Sequence, residues 1–184
     1  MNPSLKEVVL PMISAEEIDA RLCELAREIE AGFTGETLTL VCTLKGAVVF
    51  FVDLAKKLSM PLKMDFLEAA SYGDAQNSSG IIKISKDLTN TITGEHVVLI
   101  EDIIDTGATL SQLRAHLLRQ KPASFKICAL LDKPSRRIVD DVTPDYVGFT
   151  IEDKFVLGYG LDYMQRYRNL PYIGTMQFVE ASSS

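Results

Sequence analysis

The sequence predicts an α/β protein in which a central, mostly parallel sheet is covered by helices on both faces. Short apolar runs typical of buried strands alternate along the chain with stretches of helical periodicity. Strands that alternate with helices are joined by crossovers, and crossovers place the helices on the faces of a parallel sheet. The 184 residues suffice for a sizeable core, and 47% hydrophobic and 24% charged residues are ordinary for a globular protein.

A capping motif predicts where the first helix begins. Ser14 and Glu17 have the spacing of a capping box, and apolar residues at helical spacing continue to about Glu30. The other elements expected before the middle of the chain are strands over residues 37–43, 62–70 and 81–84 and a helix over 46–58. The strand at 81–84 is expected to pair back as a hairpin across the polar segment 71–80.

The same alternation continues in the second half of the chain. Residues 97–100 predict a buried strand and 108–119 a helix, and strand-like runs follow at 125–131, 146–151 and 155–157. No internal repeat, low-complexity tract or linker separates these elements. A single domain over residues 1–184 is therefore predicted.

The segment VVLIEDIIDTGATL, residues 97–110, has the strongest functional pattern. The carboxylates of Glu101 and Asp102 directly follow a buried strand, and the small turn 105–109 opens a helix. Ligands of open α/β sheets bind at the carboxyl ends of the strands, and backbone N–H groups at a helix N-terminus bind phosphate. Adjacent carboxylates suit a magnesium-bound substrate with hydroxyl groups. We therefore predict a phosphate site beside a magnesium site.

Other interpretations of this segment were weighed against the rest of the chain. Residues 105–108, DTGA, match a tetrapeptide of aspartic proteases, but those enzymes are all-β and pair two such aspartates, whereas this chain has one. A Walker-type nucleotide loop requires GxxxxGK[ST], which does not occur. A surface turn with solvated acids is the alternative without a function.

Three further motifs also follow predicted strands. Lys45 and Gly46 stand between a strand and a helix, where they either bind a second anionic group or start the helix with a solvated lysine. Lys133 either donates to a carbonyl oxygen of a ligand or is solvated. Phe155 either stacks on a planar ring, with Arg168 holding an anion nearby, or belongs to the core.

Composition narrows the function classes. A formal net charge of −6 disfavours a nucleic-acid-binding surface, and neither a membrane span nor a signal peptide is predicted. The cysteines, Cys23, Cys42 and Cys128, are odd in number and scattered, so reduced thiols and a cytoplasmic location are expected. His96 and His116 lack metal-ligand spacing and are expected to be structural.

The motifs together resemble those of the type I phosphoribosyltransferases, and among them the hypoxanthine (6-oxopurine) phosphoribosyltransferases of purine salvage. The matching segments, which span residues 36–175 in the family's order and spacing, are 44–46, 71–73, 101–109, 133, 153–156, 161–163 and 168. The segment 101–109 is specific for the superfamily. Lys133 and the segment 155–162 narrow the resemblance to the 6-oxopurine enzymes.

The resemblance implies the type I phosphoribosyltransferase fold, with a core over residues 36–157 and a small hood from the terminal segments. It implies a magnesium-dependent reaction in which hypoxanthine, and by extension guanine, reacts with phosphoribosyl pyrophosphate. The products are the nucleoside monophosphate and pyrophosphate. The resemblance also implies a homodimer or homotetramer.

The resemblance further assigns the two anion sites. The residues that would wrap the ribose 5-phosphate are Asp105, Thr106, Gly107, Ala108 and Thr109, and those at the ribose hydroxyls are Glu101 and Asp102. The residues that would bind pyrophosphate are Lys45, Gly46 and Arg168. The Leu44–Lys45 peptide bond is expected to be cis, as it often is in the family.

The base, the metal ion and the closing loop are assigned in the same way. Lys133 would donate to the six-oxo group, Phe155 would stack on the base and the backbone of Val156 would read its edge, with Asp162 alongside. Magnesium would be held by Glu101, Asp102 and Asp162. Asp105 would be the general acid or base. Ser71 and Tyr72 would belong to a flexible loop that closes over the site.

Two other functions are weighed beside this one. A non-catalytic regulator on the same fold would bind RNA or DNA and sense phosphoribosyl pyrophosphate, but Asp105, Lys133 and Phe155 would have no purpose in it. A transferase for another base, xanthine or a pyrimidine, is the nearer alternative. The preference among hypoxanthine, guanine and xanthine cannot be predicted from the sequence, because it depends on backbone carbonyls.

Overall fold

The computed structural model describes residues 5–71 and 82–180, and Tyr72 of the expected closing loop lies outside them. A short 3-10 turn covers Pro134–Arg136. The helices and strands in chain order are β1 (Leu5–Ile13), α1 (Ala15–Gly32), β2 (Leu38–Leu44), α2 (Val48–Lys57), β3 (Leu62–Ser71), β4 (Ile82–Lys86), β5 (His96–Ile104), α3 (Ala108–Leu118), β6 (Ser124–Asp132), β7 (Tyr146–Thr150), β8 (Val156–Leu157) and β9 (Ile173–Glu180).

The main sheet has six strands in the order β4-β3-β2-β5-β6-β7. Strands β3, β2, β5, β6 and β7 run parallel, and β4 pairs antiparallel with β3 at one edge, as the expected hairpin requires. From β2 the chain crosses to β3 on one side, and from β5 it crosses to β6 on the other side. The carboxyl ends of β2 and β5 therefore flank the topological switch point, where open α/β sheets bind ligands.

Two hydrophobic cores cover the two faces of this sheet. Val98 and Ile100 of β5 point into the core formed with α1 and α2, whereas Val97 and Leu99 point into the core formed with α3. Both sets are fully buried, which explains why residues 97–100 of β5 are an unbroken apolar run rather than an alternating one. The predicted mostly parallel sheet with helices on both faces is confirmed.

A second sheet of three strands, β1-β9-β8, is antiparallel and joins the two ends of the described chain. No strand was predicted at Leu5–Ile13 or at Ile173–Glu180. These strands pair across almost the whole chain length, with Leu5 opposite Glu180, so a local pattern does not reveal them. The pairing slips between Pro11 and Ile13, next to a proline that has no N–H to donate.

Helix α1 begins at the predicted capping box. The Glu17 N–H donates to Ser14 Oγ at 3.2 Å, and the Ser14 N–H donates to Glu17 Oε2 at 2.8 Å. Helix α2 begins two residues later than the predicted 46, after a turn. No helix in the described part of the chain is both long and apolar enough to cross a membrane.

Strands β5 and β8 differ from the predictions. The strand predicted at 97–100 continues as β5 to Ile104, because its pairing with β6 continues as far as Asp132. Glu101 and Asp102 therefore lie within β5, near its carboxyl end, rather than after the strand. The run at 155–157 forms only the short strand β8, and it joins the small sheet rather than the main one.

Candidate active site

A turn after β5 forms the first part of the candidate site. Gly107, with φ of +82°, is the N-cap of α3, a left-handed conformation that a glycine adopts without strain. The turn surrounds a cavity of about 210 Å³ that ends at the N-terminus of α3. The described residues that line it include Glu101, Asp105, Thr106, Gly107 and Thr109. A cavity at a helix N-terminus with a small-residue turn is suited to a phosphate group.

Two acids, Glu101 and Asp102, lie beside this turn. Among the described residues, no lysine, arginine or histidine forms an ion pair with Glu101. Glu101 is buried, and its Oε2 accepts a hydrogen bond from Thr43 Oγ1 at 2.7 Å. Burial, and then the neighbouring Asp102, raise the pKa of Glu101 to about 8. Burial also raises the pKa of Asp102. The backbone N–H groups of Ile103 and of Asp102 itself, and the charge of Arg168, act in the opposite direction but do not outweigh burial.

This donor set fits a magnesium ion that is shared with a substrate. Both acids offer oxygen ligands, which magnesium prefers, and burial raises the pKa of both, so a bound cation would stabilise their charged forms. Within residues 5–71 and 82–180 no group of three or more metal-ligating side chains is preassembled. Magnesium commonly takes only one or two carboxylates and completes its shell with substrate phosphates and water, so the arrangement suits it.

The turn after β2 meets the acids directly. The Leu44–Lys45 peptide bond is cis, as expected, and the Lys45 side chain is exposed. A Cβ at Gly46 would lie 1.6 Å from Asp102 Oδ2, which is far inside contact distance. A Cβ at Gly160 would lie 2.1 Å from the carbonyl oxygen of Gly46. Three separate segments therefore converge only because two of the residues are glycines.

Arg168 contacts Gly160 and Asp162 on this side of the site. Its Nη1 donates to the Gly160 carbonyl at 2.7 Å, and its Nη2 lies 2.7 Å from Asp162 Oδ1. A cavity of about 280 Å³ is lined by residues that include Gly46, Glu101, Asp102, Thr109, Asp162 and Arg168. Glu101 and Thr109 also line the phosphate cavity. The two cavities therefore meet at Glu101 and Thr109, and Asp102 lines only the second of them.

The predicted base site lies after β6. Lys133 is 6% exposed, and its Nζ donates to the Lys154 carbonyl at 2.6 Å and lies 3.6 Å from Asp153. Phe155 is 59% exposed and meets Tyr163 edge to face at 5.8 Å. A solvated Lys133 and a core Phe155, the two alternatives raised above, are both wrong. Val156, in contrast, is buried in β8.

One arginine that was not selected from the sequence connects Asp153 to the turn at residues 105–109. Arg136 Nε donates to Asp105 Oδ1 at 3.1 Å, and its Nη1 lies 3.7 Å from Asp153 Oδ2. Arg136 follows Lys133 by three residues at the same strand end, and that position was the available signal. Ser71 ends β3, where it pairs with Ile82 of β4.

The fold and this site together define a phosphoribosyltransferase. Residues 14–164 match the family model described as the phosphoribosyl transferase domain. The chain is 46% identical over 178 residues to the hypoxanthine phosphoribosyltransferase of Salmonella typhimurium, which covers 96% of this chain and 99% of that protein. The chain therefore belongs to the hypoxanthine phosphoribosyltransferase family of purine salvage enzymes.

Solved structures agree with this assignment. A crystal structure of a hypoxanthine-guanine phosphoribosyltransferase from Bacillus anthracis has a TM-score of 0.88 and 41% identity, covering 94% of this chain and 99% of its own. The hypoxanthine phosphoribosyltransferase of Trypanosoma cruzi in complex with the product IMP has a TM-score of 0.85 and 37% identity, covering 91% and 93%. The type I phosphoribosyltransferase fold is thus confirmed.

Proposed function

We propose that the protein transfers the 5-phosphoribosyl group from phosphoribosyl pyrophosphate to hypoxanthine, and also to guanine, with magnesium. The products are IMP or GMP and pyrophosphate. The observation that carries the proposal is the pair of cavities that share Glu101 and Thr109 at the switch point of the sheet. One cavity suits a ribose phosphate and the other a pyrophosphate, with Asp105 at the border toward the base site.

The reaction breaks the bond between the anomeric carbon and pyrophosphate and forms a bond from that carbon to a purine nitrogen. In the transition state positive charge develops on the ribose and negative charge on the leaving group. Arg168 and Lys45 would stabilise the leaving pyrophosphate. A magnesium ion held by Glu101, Asp102 and Asp162 would supply further neutralisation of that charge.

The base needs an orienting donor, a stacking surface and a proton acceptor. Lys133 Nζ donates only one of its three N–H groups to Lys154, so it can also donate to a six-oxo group. The exposed ring of Phe155 offers a face for stacking. Asp105 would accept the proton that the purine nitrogen releases as the new bond forms. Arg136 holds one oxygen of this carboxylate and leaves the other for the base.

Water must be excluded from an oxocarbenium-like ribose, because it would trap that ion. We propose that the segment 71–80, with Ser71 and Tyr72, closes over the site for this purpose. This proposal rests on the family resemblance. A tryptophan introduced at position 72 should change fluorescence when phosphoribosyl pyrophosphate and magnesium are added together.

The proposals for the cellular compartment and for the oligomeric state rest on different observations. Cys23 is an exposed free thiol, and Cys42 and Cys128 are buried free thiols, which suits the reducing cytoplasm. A homodimer or homotetramer is proposed from the family resemblance. Light scattering of the purified chain would distinguish these two assemblies from a monomer.

A spectrophotometric assay tests the function. The purified protein is given phosphoribosyl pyrophosphate, magnesium and, in separate reactions, hypoxanthine, guanine, xanthine or uracil at equal concentration. We expect rapid nucleotide formation with hypoxanthine and guanine and much slower formation with the other two bases. Preferred turnover of uracil or xanthine would overturn the base assignment. An absence of turnover together with tight nucleic-acid binding would point to a regulator instead.

A further inference from the structure

We propose that Arg137 is a positioning residue for the ribose 5-phosphate, which it supports from behind the turn at residues 105–107. This inference deepens the proposed function and rests on it. The carrying observation is a buried guanidinium nitrogen that has no hydrogen-bond partner and lies against the turn. Among the residues that the structure describes, Arg137 Nη1 is the buried side-chain nitrogen or oxygen that lacks a partner.

The guanidinium is held at its other end. Arg137 Nη2 donates to Asp132 Oδ1, at the carboxyl end of β6, and the two side chains are 15% and 11% exposed. Two charges that are removed from water this far require close pairing to be tolerated. This ion pair uses Nη2 and leaves Nη1 without a hydrogen-bond partner.

The unpartnered side faces the phosphate turn. A Cβ at Gly107 would lie 3.2 Å from Arg137 Nη1 and 3.0 Å from its Cδ. The same segment is tied to the turn through the backbone, since the Ile138 N–H donates to the Thr106 carbonyl at 3.1 Å. Arg137 therefore touches the glycine that caps α3, and its neighbour hydrogen-bonds the residue before that glycine.

A purely structural role does not account for this arrangement. The ion pair with Asp132 accounts for Nη2, but it leaves Nη1 as a buried donor without an acceptor, which is unfavourable. A positive charge directly beneath an anion-binding turn, in a medium of lower dielectric constant than water, would strengthen phosphate binding. Arg137 would act through the turn, because Gly107 lines the cavity and Arg137 does not.

Arg136, the neighbouring arginine, has a separate role. Its side chain is 47% exposed and pairs with Asp105. Arg137 is largely buried and pairs with Asp132 instead. The two consecutive guanidinium groups thus serve the base side and the phosphate side of the same turn, so substitutions of Arg137 should affect ligands with a phosphate selectively.

Calorimetric binding of IMP and of inosine separates the phosphate contribution from that of the base and ribose. In the wild-type protein IMP should bind far more tightly than inosine. In the Arg137→Met variant we expect IMP affinity to fall about tenfold, the size of one lost charge-assisted interaction, while inosine affinity stays the same. The KM for phosphoribosyl pyrophosphate should rise by a similar factor, and the KM for hypoxanthine should not change.

Two companion variants make the test decisive. Arg27→Met removes the same charge from the exposed face of α1 and should leave both affinities unchanged. Arg137→Lys keeps the positive charge but lacks the planar guanidinium group, and we expect its IMP affinity to lie between those of the wild type and Arg137→Met. If Arg137→Met does not fold, the same measurements are made on Arg137→Lys. An IMP-to-inosine affinity ratio that stays at the wild-type value in the folded variants overturns the inference. A wild-type protein that does not prefer IMP to inosine would contradict the proposed function instead.

Discussion

The carboxylate of Asp102 occupies the space that a side chain at Gly46 would need, with 1.6 Å between Oδ2 and the position of an added Cβ. Asp102 comes from β5 and Gly46 from the turn after β2, so this contact joins the two strand ends that flank the switch point. The contact leaves no room for a side chain between the two strand ends.

The Gly46→Ala variant is expected to lose activity because the added methyl group must displace Asp102 or the turn that carries Lys45. Displacements of about 1 Å at a catalytic site cost on the order of 10²-fold in rate, and we expect at least that loss in kcat/KM for phosphoribosyl pyrophosphate. Gly35→Ala is the control: no atom lies within 4 Å of its Cβ position, although φ there is +81°. That variant should lose about 1 kcal/mol of stability and keep its turnover.

The Asp105→Asn variant should lower kcat by about 10²–10⁴-fold, because an amide cannot accept the purine proton. Binding of phosphoribosyl pyrophosphate should change little, since the turn would bind phosphate mainly through backbone N–H groups. Steady-state kinetics and direct binding of that substrate measure the two effects. An equal loss in both would make Asp105 a binding residue rather than a general base. Asp19→Asn, on the exposed face of α1, serves as the matched control.

The Phe155→Leu variant tests stacking on the base. Aromatic stacking contributes about 0.5–1.5 kcal/mol beyond the buried area, so the KM for hypoxanthine should rise about 3–10-fold while that for phosphoribosyl pyrophosphate is unchanged. The midpoint of thermal unfolding should not fall, because the ring is 59% exposed. Phe178→Leu, another exposed phenylalanine at 55%, should leave both KM values as they are. A lower unfolding midpoint for Phe155→Leu would indicate a structural ring instead.

Asp65 gives a prediction for the dependence of stability on pH. Burial alone would raise the pKa of Asp65, but the backbone N–H groups of Phe66, Asn90 and Thr89 outweigh burial and lower it from the ordinary value of 3.8. A carboxyl group with a lowered pKa in the folded state stabilises the fold above its unfolded pKa. That stabilisation is lost as the pH falls through the folded-state pKa.

The Asp65→Asn variant should therefore be less stable than the wild type at pH 7, by about 1–3 kcal/mol, since the backbone donors lose a charged acceptor. The difference should shrink when the pH is lowered below about 4. Urea unfolding at a series of pH values measures both effects. A difference that stays constant down to pH 2 would contradict this assignment. Asp19→Asn, at an exposed position, should change the free energy of unfolding by less than about 0.5 kcal/mol at pH 7.

Most of the main sheet could be predicted from the sequence because its signals are local. Periodicity and strand-end residues placed α3 within one residue of its observed end, and the capping box at Ser14 placed the start of α1. The small sheet could not be predicted in this way. Strands β1 and β9 are stabilised by pairing between the two ends of the chain, so neither carries a pattern that is sufficient alone.

The candidate site shows the same division. The sequence by itself indicated the kinds of ligand suited to the ends of β2, β5 and β6, because phosphate, magnesium and a carbonyl-bearing ring would each require particular donors. Only the tertiary structure decided which of those ends meet and which further side chains support them. Asp102 fills the space at Gly46, Arg136 holds Asp105 and Arg137 lies beneath Gly107. These contacts join residues from different strands, and the order of strands in the sheet brings them together.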